Sequence, residues 1–433
     1  MSEATALNVR HLRIFAKVAE LRGIRKAADA VSLSQPAVTQ AIAKLEQQVA
    51  ATLFKRSSNG TYLTEAGNVL AFRTGLMINQ IEAAVAEFGV NTNRGQTLET
   101  VIQRITRPQI RVLTAVATTG SFSDAAHELG ISQVSLHRAA RELERNLGKP
   151  LFDHSEFGVR TTQAASSLAR RMSLAMREIE WALDEIHAVE GRLGGELRVG
   201  AMPIAGGFLL GATLNDLSAK HPEARVHVRT GDGRVLANAL RIGEIDFIVG
   251  MSPNTLEPAE IKHETLISSP FILVARHDHP LSRKEEITIS DLEVYDWIWP
   301  TRGATRRGAF DDLFAQMKKP PRANIEANSL ATIRTLIGGT DRLTLLTRYE
   351  YENEGAIGTL MQLAFPPVGP IQSVDVVWRA GWTPTTLHLT FLEFIRARAA
   401  RARGSDARLA DGELPRAADR SAPPPVVVNR RSA

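Results

Sequence analysis

Ser34, Gln35, Pro36, Thr39, Gln40 and Lys44 fall at spacings that line one side of a helix with small polar, amide and cationic groups. Side chains of these types near a helix start suit hydrogen bonds to base edges in a major groove, since amides pair with adenine and lysine with guanine or phosphate. Ser34 stands at a helix N-cap with Pro36 just inside, the arrangement that fixes where such a helix begins. Lys55 and Arg56 follow on a strand that precedes the turn Ser-Ser-Asn-Gly and faces a second strand, Thr61 to Thr64. Two basic residues at the tip of a hairpin suit phosphate contact.

The elements that must hold these groups are short. Leu12, Phe15, Val18 and Ala19 mark one helix, Ala27 and Ala28 a second after a turn at Gly23, and Val38, Ile42, Leu45 and Val49 the buried face of the third. Three helices and a hairpin make a winged helix-turn-helix. The whole pattern occurs twice: His11 to Gly67 aligns without gaps on Gln109 to Ala165 at an offset of 98 positions. Ala27-Ala28 matches Ala125-Ala126, Ser34-Gln35 matches Ser132-Gln133, Leu45-Glu46 matches Leu143-Glu144, and Leu53-Phe54 matches Leu151-Phe152.

The run Ser34 to Ile42, then Leu45-Glu46, Leu53-Phe54-Lys55-Arg56 and Leu63-Thr64-Glu65-Ala66-Gly67, resembles the DNA-binding signature of the LysR-type transcriptional regulators. The family does not normally carry a second copy. The resemblance implies a bacterial, ligand-responsive, sequence-specific regulator whose partners are double-stranded promoter or operator DNA, a small effector and RNA polymerase.

Copy two keeps the folding signals Gly120-Ser121-Phe122-Ser123, with Ser123 as the expected cap of its second helix, and changes the reading surface. Val134 replaces the proline, His137 and Arg138 replace threonine and glutamine, and its wing reads Asp153-His154-Ser155-Glu156. Residues 8–67 hold nine Lys or Arg against four Asp or Glu, whereas 107–165 hold seven against six. Two readings of copy two stand: a second reader using Arg138, Arg141 and Arg145, or a degenerate spacer that supports dimerisation. If copy one is the main reader, removing Lys44 and Arg56 weakens operator binding more than removing Arg138 and Arg141.

Each copy runs into a long helix. Leu168, Met172, Ala175, Ile179, Ala182, Ile186, Val189 and Leu193 form a heptad seam, repeated 98 residues earlier as Leu70, Met77, Ile81, Ala84 and Phe88, with Thr74 weakening one layer. The expected use is pairing with a second chain, giving a homodimer or homotetramer. The organisation expected is residues 8–67 copy one, 68–106 linker helix with a hinge at Gly89 to Thr97, 107–165 copy two, 166–193 coiled-coil linker, 194–396 an α/β domain, and 397–433 a basic tail.

From Gly194 strands alternate with helices, the pattern of an α/β domain with mainly parallel strands. Ligands in such sheets bind beyond the strand carboxyl ends, here the loops holding Met202, Pro203 and Ile204, Thr230, Gly250, Thr301 to Thr305, and Asn328 with Ser329. Asp246 to Gly250, His279-Pro280-Leu281 and Trp297 to Pro300 resemble the LysR-type effector domain, two-lobed like periplasmic binding proteins. That resemblance implies an effector between the lobes, touching Met202, Pro203, Ile204, Thr301, Arg302, Gly303, Thr305, Asn328 and Ser329. Family members commonly offer a hydroxyl where this chain has Ile204. Arg302, Arg306 or Arg307 could instead pair a carboxylate. Within the family the chain is similar to the galactose-binding-protein and protocatechuate-pathway regulators, so a sugar, an aromatic acid or another carboxylic acid is the expected effector class.

Composition sets the remaining limits. The 433 residues are 44% apolar and 23% charged, with a formal charge of +5, as in a globular chain of several domains. Cysteine is absent, which excludes disulfides, thiolate metal sites and thiol nucleophiles. The N-terminus lacks a secretory pattern and no apolar run suits a membrane span, so a cytoplasmic location is expected. His277-Asp278-His279 reads as a loop, Gly231-Asp232-Gly233 as a turn, and no catalytic constellation or cofactor motif stands out. The tail from Arg396 carries nine arginines against four acids and is expected to lose structure after a helical turn or two. A competing reading keeps the effector domain but makes both helix-turn-helix copies serve only assembly.

Overall fold

A computed structural model of the chain describes residues 7–410 apart from 58–59, 91–96, 156–157, 192–193, 203, 205, 254, 305, 322–323 and 356–357. Most of the expected hinge, together with Glu156, Leu193, Pro203, Thr305 and the tail beyond Ala410, therefore lies outside the described residues. Copy one consists of α1 (Val9–Leu21), α2 (Ile24–Ala30), α3 (Gln35–Val49), β1 (Phe54–Ser57) and β2 (Gly60–Leu63), followed by α4 (Glu65–Phe88). After α5 (Leu98–Arg104), copy two repeats the order as α6 (Arg107–Thr119), α7 (Phe122–Leu129), α8 (Gln133–Leu147), β3 (Phe152–Ser155), β4 (Gly158–Thr161) and α9 (Gln163–Val189).

The repeated Leu-Glu pair has a structural reason. The Glu46 carboxylate accepts the Leu53 N–H at 2.8 Å in copy one, and Glu144 accepts the Leu151 N–H at 2.8 Å in copy two. Each carboxylate thus ties the third helix to the base of its wing. In copy two the cap of α7 is Ser121, not Ser123: its side chain accepts the Asp124 N–H. The earlier serine is the one that stands outside the first turn, where a cap must be.

The heptad seam is closed within the chain. Arg73 on α4 binds Glu178 at 2.9 Å and Glu185 at 2.7 Å on α9, while Glu87 near the far end of α4 binds Arg171 near the start of α9 at 2.5 Å. The residue numbers run in opposite senses, so the two helices pack antiparallel. Leu70, Met77, Ile81 and Ala84 bury against the same core as Leu168, Met172, Ala175, Ile179, Ala182 and Ile186. Each large apolar side chain buried there contributes about 1.5–3 kcal/mol. The heptad pattern alone points to a second chain as the partner of this seam; the duplication supplies that partner in cis.

The pairing carries an internal twofold. Shifting both members of Arg73–Glu185 by the 98-residue offset exchanges them for Arg171 and Glu87, the other ion pair. Gln80 and Glu178, which hydrogen-bond at 3.3 Å, are each other's equivalents and lie on the axis. An isologous contact of this kind ordinarily requires two identical subunits.

The C-terminal half contains β5 (Gly195–Ala201), α10 (Gly207–Lys220), β6 (Ala224–Thr230), α11 (Gly233–Ile242), β7 (Phe247–Gly250), β8 (Ile261–Arg276), α12 (Ile289–Leu292), β9 (Ile298–Trp299), α13 (Arg307–Phe314), β10 (Ile325–Glu326), α14 (Leu330–Gly338), β11 (Thr344–Thr347), α15 (Arg348–Gly355), β12 (Leu360–Gln362), β13 (Val368–Arg379) and α16 (Thr386–Ala410). The main sheet runs β11-β8-β13-β7-β5-β6, with β12 on β8. Only β5–β6 and β5–β7 pair parallel in it; β13 with β7 and β8, and β11 and β12 with β8, are antiparallel. The expectation of mainly parallel strands holds for β5 with β6 and β7 and for the separate β9–β10 pair, and is corrected in the rest of the main sheet because β8 and β13 are long strands that run back and forth between the two lobes. The C-terminal helix also outlasts the helical turn or two expected beyond Arg396, continuing to Ala410 with Arg398 held by Asp216 at 2.6 Å.

The linker joins this half through buried charge. Arg177 of α9 donates to Asp246 at 3.1 Å, and His388 of α16 sits 3.2 Å from the same carboxylate. Burial lowers the pKa of His388, opposed by the neighbouring carboxylate; against the cost of its own burial, Asp246 is held well below the ordinary carboxylate range by His388 and Arg177. Asp184, further along α9, accepts the Glu196 N–H and is pushed up by burial to about 6. A carboxyl raised above its unfolded value of ~3.9 lends stability at low pH that is lost as pH rises through the folded value. Asp184→Asn keeps the acceptor and removes that loss. It is expected to raise the melting midpoint by about 2–4 °C at pH 7.5, a gain that shrinks at pH 5, as paired melts at the two pH values would show.

Candidate nucleic-acid interface

Ser34 caps α3, accepting the Ala37 N–H at 3.3 Å, and Pro36 occupies the first turn. Val38, Ala41, Ile42, Leu45 and Val49 face the core, Ala37, Glu46 and Gln48 are half-buried, and the opposite face is turned to solvent. Gln35, Pro36, Thr39, Gln40 and Lys44 are all exposed. Together with Ala43 the first four line a shallow surface concavity. Thr39 returns its hydroxyl to the Gln35 carbonyl at 3.0 Å, leaving the amides of Gln35 and Gln40 as the outward donors and acceptors. Lys55 is exposed on β1 opposite Tyr62; Arg56 pairs by its backbone with Thr61, its side chain lying outside the described residues.

The corresponding face of α8 is differently composed. Gln133, Val134, Arg138, Arg141 and Arg145 are exposed, and Val134 is 79% exposed. His137 departs from its expected place on this surface: half-buried, it stacks on Phe122 with ring centroids 4.4 Å apart. Asp153 is exposed at the wing. His154 and Ser155 are described only by their backbone pairing.

In the second half the structure gathers most of the expected effector positions. Met202 and Ile204 are 8% exposed, and the Met202 N–H donates to the Val249 carbonyl at 3.1 Å beside Gly250. Gly250 has φ 148°, and a side chain there would meet Met202 at 2.6 Å, so only glycine lets the loop sit this close. Thr230 is exposed at the end of β6, in register with Ala201. Across the cleft, the Asn328 side chain accepts the Thr301 N–H at 3.2 Å and donates to the Thr301 hydroxyl. Ser329 caps α14 by accepting the Thr332 N–H. Ile204, held at φ 73°, packs with Ile272, Val274, Ile298 and Ile333 of the second lobe. The first lobe therefore meets the second through an apolar side chain.

The arginines separate. Arg306 is 7% exposed and bound to Glu350 at 2.6 Å, so it is not a free ligand for a carboxylate. Arg307 donates to the Pro300 carbonyl at 2.7 Å and to Glu326 at 3.1 Å, with its guanidinium 4.3 Å from the Trp299 ring centroid. Arg302, exposed in the turn before Gly303, is the arginine left facing solvent. His279 and Asp232, set aside in the sequence as loop residues, cap backbone N–H groups of Leu281 and Val235. The residues that sequence reasoning missed are Arg73, Glu178 and Glu185, which carry the contact between α4 and α9, and Thr383, whose carbonyl accepts from Arg73 at 3.0 Å. A signal existed: Arg73 and Glu87 align with Arg171 and Glu185 at the repeat offset.

The chain is similar to known proteins along most of its length. The family described as bacterial regulatory helix-turn-helix protein, lysR family, matches residues 9–68 and again 108–166; the LysR substrate binding domain matches 190–400. The HTH-type transcriptional regulator GalR of Pseudomonas putida is 27% identical over 390 residues, covering 90% of this chain and 96% of that protein. GbpR of Rhizobium radiobacter is 28% identical over 207 residues, 47% of this chain and 68% of that protein. A full-length structure of an OxyR variant from Pseudomonas aeruginosa, 22% identical, covers 67% of this chain and 97% of its own with a TM-score of 0.50, a likeness of fold. No described helix is long and apolar enough to cross a membrane.

Proposed function

The chain belongs to the LysR-type transcriptional regulators, and from that premise we propose that copy one reads operator DNA through α3 and its wing while the C-terminal half binds a small effector between its lobes. The observation that carries the DNA reading is the face of α3: Gln35, Thr39, Gln40 and Lys44 all project outward from a helix whose other face is core. Groups with groove-reading chemistry stand there with none of the described residues covering them. Lys55 and Arg56 supply phosphate contacts from the wing.

The effector reading rests on the cleft walls. Met202 and Ile204 on one side, and the Thr301–Asn328 pair on the other, combine apolar surface with oriented polar groups. The apolar Ile204 favours a ring or hydrocarbon over an anion at that wall, and we assign Arg302, exposed in its turn, the role of meeting a carboxylate, so an aromatic acid fits better than a sugar. An effector shifts the protein only by its different affinity for two arrangements of the lobes. The regulator is read as a binder that turns nothing over, acting in the cytoplasm with promoter DNA and RNA polymerase. Further assembly of chains uses surfaces other than the α4/α9 seam.

A salt titration of the full chain against a duplex of its own promoter region tests the DNA reading. With four to six phosphate contacts, log K is expected to fall against log salt with a slope of about −4 to −5. Binding without salt dependence, or none, would favour the reading in which the helix-turn-helix copies serve assembly alone.

A further inference from the structure

We propose that copy two is a second DNA reader, so that a single chain binds one asymmetric duplex site made of two unlike elements, copy one on the first and copy two on the second. The inference rests on the regulator reading above and extends it from whether DNA is bound to what form the site takes.

The internal twofold supplies the geometry. Arg73–Glu185 and Arg171–Glu87 are exchanged by it, with Gln80 and Glu178 on the axis. A twofold preserves the component of direction along its axis, so to the degree that α3 faces along that axis α8 faces the same way, and one duplex lying across the axis meets both. Each module sits at the start of its linker helix, and antiparallel pairing puts those starts at opposite ends of the pair. Extending the observed register at ~1.5 Å per residue separates them by on the order of 40 Å. Half-sites one turn of B-DNA apart are ~34–36 Å from centre to centre.

The face of α8 supplies the chemistry. Val134 occupies the position of Pro36 and is 79% exposed, with Ile131 beside it 38% exposed. Exposed methyl groups at the start of a recognition helix suit the thymine methyl, the outward arginines at 138, 141 and 145 suit guanine edges and phosphates, and Gln133 repeats the amide of Gln35. A spacer leaves this combination of open valine and three outward arginines without a task.

The differences between the copies define the asymmetry. Copy two has Arg138 where copy one has Gln40, and the exposed acids Glu142 and Asp153 where copy one has Lys44 and Lys55. Its element therefore differs in sequence from that of copy one, and its phosphate affinity is lower. A weak reader fused to a stronger one gains from the effective concentration that the joined scaffold provides. In a homodimer both readers must be the same; within one chain they are free to diverge.

The test is selection of bound duplexes from a library with about 40 random base pairs, long enough for two half-sites a turn apart, using the full chain and the triple variant Arg138→Ala, Arg141→Ala, Arg145→Ala. All three residues are exposed on α8, and an unchanged melting midpoint confirms that the variant is folded. The full chain is expected to enrich two unlike elements in fixed order about one turn apart, with one chain per duplex by native mass spectrometry. The variant is expected to keep the first element, lose the second, and bind the full site about 10-fold more weakly. Enrichment of a single element, of an inverted repeat of one element, or of an unchanged motif by the variant would overturn the proposal while leaving the regulator reading intact. Absence of any salt-sensitive enrichment by the full chain would overturn the regulator reading itself.

Discussion

Replacing Lys44 and Lys55 with alanine is expected to weaken operator binding about 100-fold and to reduce the steepness of the salt dependence by about two units. Both side chains are exposed, one on the outer face of α3 and one on the wing strand. Neither supports the core, so melting should not move. The loss should be nearly uniform across operator variants, because charge contacts to phosphate carry little sequence information. Gln40→Ala is expected to behave differently, with a smaller loss concentrated at one base pair. The pair Arg138→Ala and Arg141→Ala should cost less than the lysine pair, since copy two carries a nearly balanced charge. Equal losses for the two pairs in a gel-shift series would overturn the ranking of copy one as the stronger reader.

The second large effect is on stability, and the internal twofold provides its control. Arg73 is fully buried, with Glu178 almost as enclosed and Glu185 partly so. Arg73→Ala strands a carboxylate that burial already pushes up, and breaking a buried pair from one side costs about 3–5 kcal/mol. Arg171→Ala removes the equivalent arginine across the axis, where both partners are more than two-fifths exposed, and such pairs contribute about 0–1 kcal/mol. Thermal melting should show the first variant unfolding roughly 10 °C lower and the second within about 2 °C of the parent. The double substitution Arg73→Met with Glu178→Leu is expected to recover part of the loss, because apolar replacement of a buried pair is often neutral. Similar shifts for Arg73→Ala and Arg171→Ala would show that burial does not distinguish the two sites.

The contrast explains what can be read from the amino acids and what cannot. The repeat is legible because the residues that define each module recur in register: the cap serine, the paired alanines, and the glutamate that ties helix to wing. The heptad seam is equally legible as a buried face. Periodicity states that a face is covered and is silent on what covers it, so it suggests an external partner where the chain provides its own. Arg73 escapes notice because an arginine beside a seam is usually a solvated flank, and only the aligned positions of its partners point inward. In the effector half the strands are legible but their directions are not, since alternation and β-branched content are the same for parallel and antiparallel neighbours. The length of β8 is hidden by Lys262, His263 and Glu264, exposed or half-buried polar residues at its start, where it lies beside β13 in the first lobe. Arg306 reads in the sequence as a ligand for the effector; the partner that removes it, Glu350, lies 44 positions away.

The closure of the α4/α9 seam within one chain also sets how a cell's supply of this protein translates into control. With copy two as the second reader proposed above, the two modules are held by a shared core and do not separate on dilution, so occupancy of a paired site rises in proportion to the number of chains rather than to its square. A promoter governed this way responds gradually to gene dosage and retains its response when the protein is scarce. A defective copy of the gene poisons nothing through that seam, because its product has no exposed half to share with a sound one.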